Sequence, residues 1–94
     1  MEPTRGDGQP PSPFEYPVSY PVKVIGLAAD DFADHARVLV ERAVGAAVTE
    51  PLTSRSSGGG KYLAVTVVVT LTSEAHRLAI YAALRADARV VFAL

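Results

Sequence analysis

The chain has 94 residues, 49% of them hydrophobic and 20% charged, with a formal net charge of −1. That is the make-up of a single globular domain, and it supplies no overall electrostatic pull toward nucleic acid or an anionic membrane. Cysteine is absent, which removes disulfides, thiolate metal sites and cysteine catalysis and permits a reduced compartment.

In chain order, residues 1–15 come first. They carry Pro3, Pro10, Pro11 and Pro13 with almost nothing to bury, so they are expected to form a disordered tail. Pro10 and Pro13 meet the P-x-x-P spacing of a polyproline ligand, a spacing that short proline-bearing tails often show. The segment lacks the charged-then-apolar layout of a secretion signal. No run approaches the ~20 apolar residues that span a bilayer. The expectation is a soluble cytoplasmic protein with one domain over residues 16–94.

From Tyr16 the pattern becomes period-two. Tyr20, Val22 and Val24 share one parity, Lys23 and Ile25 the other, and Gly26 marks the end of a first strand. Asp30 and Asp31 supply a helix cap and a first-turn acid. Phe32, Ala36, Leu39, Val40 and Ala43 then recur along one helix face. Arg37 and Glu41 are spaced as an ion pair on the opposite side, and Gly45 is a stop. "AAVTEPLTSRS" predicts a second strand that Pro51 pushes to an edge or a bulge. Lys61–Thr72 is the clearest strand, with Leu63, Val65, Val67, Val69 and Leu71 on one face and Tyr62, Ala64, Thr66, Val68 and Thr70 on the other. Ser73 caps a second helix running to about Ala86, and "ARVVFAL" closes the chain as a short apolar strand.

The order β-α-β-β-α-β with right-handed crossovers puts two helices on one face of a four-stranded antiparallel sheet. That is the ferredoxin-like α+β two-layer sandwich. Its other face is open, and Ile25, Ala64 and Val68 make it apolar for a surface. The second helix carries two apolar strips, Ile80, Tyr81 and Leu84 on one side and Ala75, Leu78, Ala79 and Ala82 on another. Such a helix is either deeply buried or shared with a partner.

Several chemistries can be weighed against these elements. In "SRSSGGGKYLAVTVVV" the Gly60-Lys61 pair suggests a phosphate loop, but Arg55 stands where the first glycine belongs, Tyr62 replaces the hydroxyl residue, and a strand follows instead of a helix. A hairpin tip whose glycines supply positive φ explains it better. At the first strand–helix turn, "GLAADDF", two carboxylates would repel a phosphate. His35 and His76 lie on different helices without metal-ligand spacing, and Asp31, four residues before His35, accounts for a surface contact. RNA-recognition motifs share the topology but stack bases on third-strand aromatics, whereas this third strand has Tyr62 followed by valines and threonines. Nucleic acid, metal and cofactor are therefore not expected, and no nucleophile–base pair points to an enzyme.

The chain resembles the YbeD-like family of small bacterial proteins from about Tyr16 to Leu94. "YPVSYPVKVIG" at the first strand, "SSGGGKYLAVTV" at the hairpin, "IYAAL" in the second helix and the terminal "VVFAL" carry the resemblance. Arg77 departs from the family pattern, which has an aliphatic residue there, and Leu78 is expected to take that place. The resemblance implies a ferredoxin-like fold similar to ACT domains, which bind amino acids and regulate metabolic enzymes, and a connection to lipoate metabolism. By analogy with ACT domains, Gly26, Asp30 and Asp31 mark a ligand turn. Two functions are thus expected. One is a non-catalytic regulatory or interaction module that binds a partner protein or itself through Lys23, Ile25, Arg55, Lys61, Tyr62, Ala64 and Val68. The other is an ACT-like sensor of an amino acid or related metabolite.

Overall fold

The computed structural model describes residues 15–94; the tail predicted over residues 1–15, with its P-x-x-P spacing, falls outside them but for Glu15. The elements are β1 (Val18–Leu27), α1 (Phe32–Val44), β2 (Thr53–Ser57), β3 (Tyr62–Leu71), α2 (Glu74–Arg85) and β4 (Val90–Ala93). The sheet order is β2-β3-β1-β4, and every pair is antiparallel. This is the βαββαβ sandwich that the alternation predicts.

The core follows the parity of the central strands. Val22, Val24, Val65, Val67, Val69 and Leu71 are buried on one face of β1 and β3, against Phe32, Ala36 and Val40 of α1 and Ile80, Tyr81 and Leu84 of α2. Side chains alternate across a strand, so a pairing of Val22 with Val67 and Val24 with Val65 places all four under the helices at once. At about 25 cal/mol per Å2 of apolar surface removed from water, this interlayer contact is the main source of stability.

Local signals set the ends of the elements. Gly45 takes φ 75°, and its N–H closes α1 on the Glu41 carbonyl. The Ser73 side chain accepts from the His76 N–H and caps α2. Gly58, Gly59 and Gly60 all have positive φ at the β2–β3 hairpin tip, the conformation that other residues adopt only at a cost.

Three expectations need correction. The second strand is shorter than "AAVTEPLTSRS" suggests: it begins at Thr53, after Pro51, because proline lacks the N–H that would extend the ladder. Asp31, not Asp30, is the cap residue of α1, and it makes no side-chain capping bond. Leu78 does not replace the aliphatic position at Arg77, since Leu78 is 51% exposed. Arg77 instead lies over the Tyr81 ring, 5.8 Å from its centre, and pairs with Glu74 at 2.6 Å. Among the described residues no helix is long and apolar enough to cross a membrane.

Candidate functional site

Pairing places most of the predicted interaction surface on the open face of the sheet. Ile25 lies opposite Ala64, Lys23 opposite Thr66, Leu27 opposite Tyr62, and Arg55 opposite Ala64 on its other side. Residues directly across an antiparallel pair share a face, so Lys23, Ile25, Arg55, Tyr62 and Ala64 form one surface, with Val68 farther along it. Lys23, Arg55, Ala64 and Thr66 line a depression of about 270 Å3. Neither Lys23 nor Arg55 makes an ion pair among the described residues. Lys61 stands apart at the hairpin, its ammonium 5.5 Å from the centre of the Tyr62 ring.

β4 enlarges this surface in a way that sequence reasoning missed. Ile25 pairs with Phe92 but Gly26 pairs with Val90, so Val91 is an extra residue in a bulge. The bulge interrupts the alternation and leaves both Val91 and Phe92 more than half exposed. Lys23 and Leu94 exchange backbone bonds of 3.1 and 2.9 Å, which continues the pairing to the last residue. Phe92, Leu94, Ile25 and Leu27 thus make an apolar stripe beside the two cations. "VVFAL" looks like an ordinary buried strand, and only the exposed edge position and the bulge reveal otherwise.

In the predicted ligand turn, Gly26 and Asp31 are engaged by the protein's own groups. A Cβ on Gly26 would fall 2.3 Å from Phe32 Cζ and 2.4 Å from the Arg89 carbonyl oxygen, so glycine is required by close packing. Arg89 donates to both oxygens of Asp31, at 2.8 and 3.2 Å, and its guanidinium lies 5.7 Å from the centre of the Phe32 ring. The hydrogen bond from Arg89 and its charge hold the Asp31 carboxyl below the usual range. Asp30 is exposed beside them.

The histidines are more than surface groups. His35 Nε2 meets both oxygens of Asp87 at 3.0 Å, so its partner is Asp87 and not Asp31. Asp87 also accepts from the Arg89 N–H at 2.9 Å. Burial works to raise the Asp87 pKa, but the bonds from His35 and Arg89 outweigh it and leave the carboxyl below its ordinary value. At the other end of the helix pair, His76 Nε2 lies 3.2 Å from the Val44 carbonyl and Nδ1 lies 3.2 Å from the Thr72 N–H. Nε2 donates to the carbonyl, and Nδ1 accepts from the Thr72 N–H with the Thr72 hydroxyl also 3.2 Å away. One histidine therefore ties each end of α1 to the region of α2.

A third polar cluster is satisfied internally. Tyr16 donates to Glu74 at 2.8 Å, and Tyr20 and Tyr81 share a hydroxyl–hydroxyl bond of 3.1 Å. Bonds from Arg77 and Tyr16 bring the Glu74 carboxyl down to about 2. Burial beneath the sheet edge pushes the Tyr81 phenol up, and Tyr20 adds to the effect.

The chain can now be set beside known proteins. A UPF0250 protein of Ectopseudomonas mendocina is 39% identical over 88 residues, covering 93% of this chain and 95% of the relative. UPF0250 protein RSc0326 of Ralstonia nicotianae is 40% identical over 77 residues, covering 82% and 79%. The solution structure of protein HP0495 from H. pylori superposes with a TM-score of 0.66 at 20% identity, over all of this chain and 98% of the other, which shows a shared fold. Residues 11–94 match the model of the family described as "Protein of unknown function (DUF493)". With relatives this similar over most of its length, the chain belongs to the DUF493 family, the YbeD-like UPF0250 proteins.

Proposed function

We propose that this protein is a non-catalytic interaction module that docks a protein partner, or a second copy of itself, on the open face of its sheet. The observation that carries this reading is the juxtaposition of Phe92, Leu94, Ile25 and Leu27 with the cations Lys23 and Arg55, which have no ion pair among the described residues. Contiguous exposed apolar surface on a small domain marks interaction sites. Isolated cations at its border steer association and select for an acidic counterpart. The partner surface is therefore apolar with at least one carboxylate placed near Lys23 and Arg55. Family resemblance also supports a regulatory setting, because ACT-like modules act by association.

The test compares wild type with a Lys23→Glu/Arg55→Glu/Phe92→Ser variant in sedimentation equilibrium and in affinity capture from native lysate with mass spectrometry. The expected result is self-association or a captured protein that is lost in the variant while its circular dichroism spectrum is retained. A wild type that stays monomeric at several hundred micromolar and captures nothing the variant does not would overturn the reading. Lys61→Glu alone separates the hairpin from the face: loss of binding equal to that of the triple variant would move the contact to the hairpin tip.

A further inference from the structure

The sheet is incomplete on one side of β3. β2 pairs with β3 only from Thr53↔Thr66 to Ser57↔Tyr62, whereas β3 runs on to Leu71. The direction of the backbone groups beyond that point follows from the ladder. Lys23, on the open face, exchanges its bonds with Leu94 toward β4, so the core-facing residues of β1 aim theirs at β3. Through the register, Val67, Val69 and Leu71 point back at β1, and Val68 and Thr70 point away, past the end of β2. Continuing the β2 register would set Pro51 opposite Val68, and proline has no N–H to give. No turn, loop or side-chain bond among the described residues reaches the Val68 or Thr70 backbone.

A cavity of about 710 Å3 lies along this bare edge, within the size range of ligand sites. Its walls are β3 at Val68–Thr70, the end of α1 and the following loop at Val44 and Val48, and the first turn of α2 at Ala75 and His76. His76 closes one end, because it takes the next outward N–H, that of Thr72. Glu50 also lines the cavity, no Lys or Arg does, and Glu50 has no ion pair among the described residues.

We propose that this groove binds an extended peptide segment, which adds to β3 as an antiparallel strand in the space that Pro51 keeps β2 from filling. Two bare N–H and C=O pairs one strand repeat apart, about 6.8 Å, match an extended backbone, whereas a free amino acid could satisfy only one of them. The peptide residue between those two pairs shares the face of Val69, so it meets Val44, Val48 and Ala75 and is selected as small, β-branched and apolar. Glu50 selects a basic residue two positions along the peptide, on the same face as the apolar one. Main-chain bonds give such complexes their affinity, and alternate side chains give their specificity. The site lies across the sheet from β4 and stands apart from the open-face reading.

The probe is acetyl-Lys-Thr-Val-Thr-amide added to the isotope-labelled full chain, with amide shifts and hydrogen exchange followed by NMR. At about 90% occupancy the Val68 and Thr70 amides are expected to exchange about tenfold more slowly. The peptide N-methylated at both threonines should lose that protection, since it has lost the donors. Ala75→Phe should block the groove, and Glu50→Lys should shift preference to the acetyl-Glu-Thr-Val-Thr-amide peptide. Absence of shifts at millimolar peptide, shifts without slowing at Val68 and Thr70, or equal binding of the N-methylated peptide would each overturn the proposal. The N-methylated control uses the wild-type chain, so it holds even if a variant fails to fold. Failure here would leave the Phe92 face untouched, because that reading is scored by association and by capture.

Discussion

The two faces of the sheet are built from the same strands, and both carry apolar residues, yet only one is covered by the helices. On the covered face Val22, Val24, Val65, Val67 and Leu71 are fully removed from water by the two helices. On the other, Leu27, Phe92 and Leu94 each keep 55% of their surface exposed. An apolar side chain that folding leaves in water contributes little to the monomer, so its stabilising potential is still available to a partner. Comparing the faces separates residues that hold the fold from residues free to bind.

The strongest way to break that comparison is to remove the fully buried aromatic from the covered side. Phe32→Ala should destabilise the domain by about 3–5 kcal/mol, because the ring is fully buried between Gly26, Arg89 and the core. For a domain of ordinary stability, roughly 5–10 kcal/mol, urea melts should show a large fall in midpoint at unchanged slope. A loss below about 1 kcal/mol would mean that the helix layer is not what stabilises the sheet.

Next comes the tie between α1 and the α2–β4 turn. Asp87→Asn weakens a hydrogen bond involving a charged group, worth about 1.5–3 kcal/mol. The folded Asp87 carboxyl titrates below its ordinary value. Its contribution is therefore present above the unfolded value, about 4, and disappears as pH falls through the lower folded value. Thermal midpoints of wild type and variant should differ at neutral pH and converge in acid. A difference that persists unchanged at low pH would place the stabilisation elsewhere.

The smallest effect on stability belongs to the open face. Phe92→Ser should change unfolding free energy by no more than about 0.5 kcal/mol while abolishing association. A large stability loss instead would identify Phe92 as a core residue and erase the distinction between the faces.

Much of this was legible in the sequence because it is local. Period-two alternation along "KYLAVTVVVTL" assigned each β3 side chain to its face, and Gly45, Ser73 and the three hairpin glycines marked where the chain turns. The predicted surface residues Lys23, Ile25, Arg55, Tyr62 and Ala64 come together for the same reason, since parity and register alone place them. Other features were not legible. Arg89 pairs with Asp31 across 58 residues, and His35 with Asp87 across 52, and no spacing rule connects positions so far apart. The bulge at Val91 inverts the exposure expected of an apolar terminal strand.

By itself, then, the sequence determined the element order, the buried face of the two central strands β1 and β3 and the family, since these depend on periodicity, turn chemistry and short motifs. The tertiary structure decided which apolar residues stay in water and which backbone groups stay unpaired. Pro51 illustrates the division. Its missing N–H is a property of the residue, but that it leaves Val68 and Thr70 facing an open groove depends on where β2, β3 and the end of α1 meet in space.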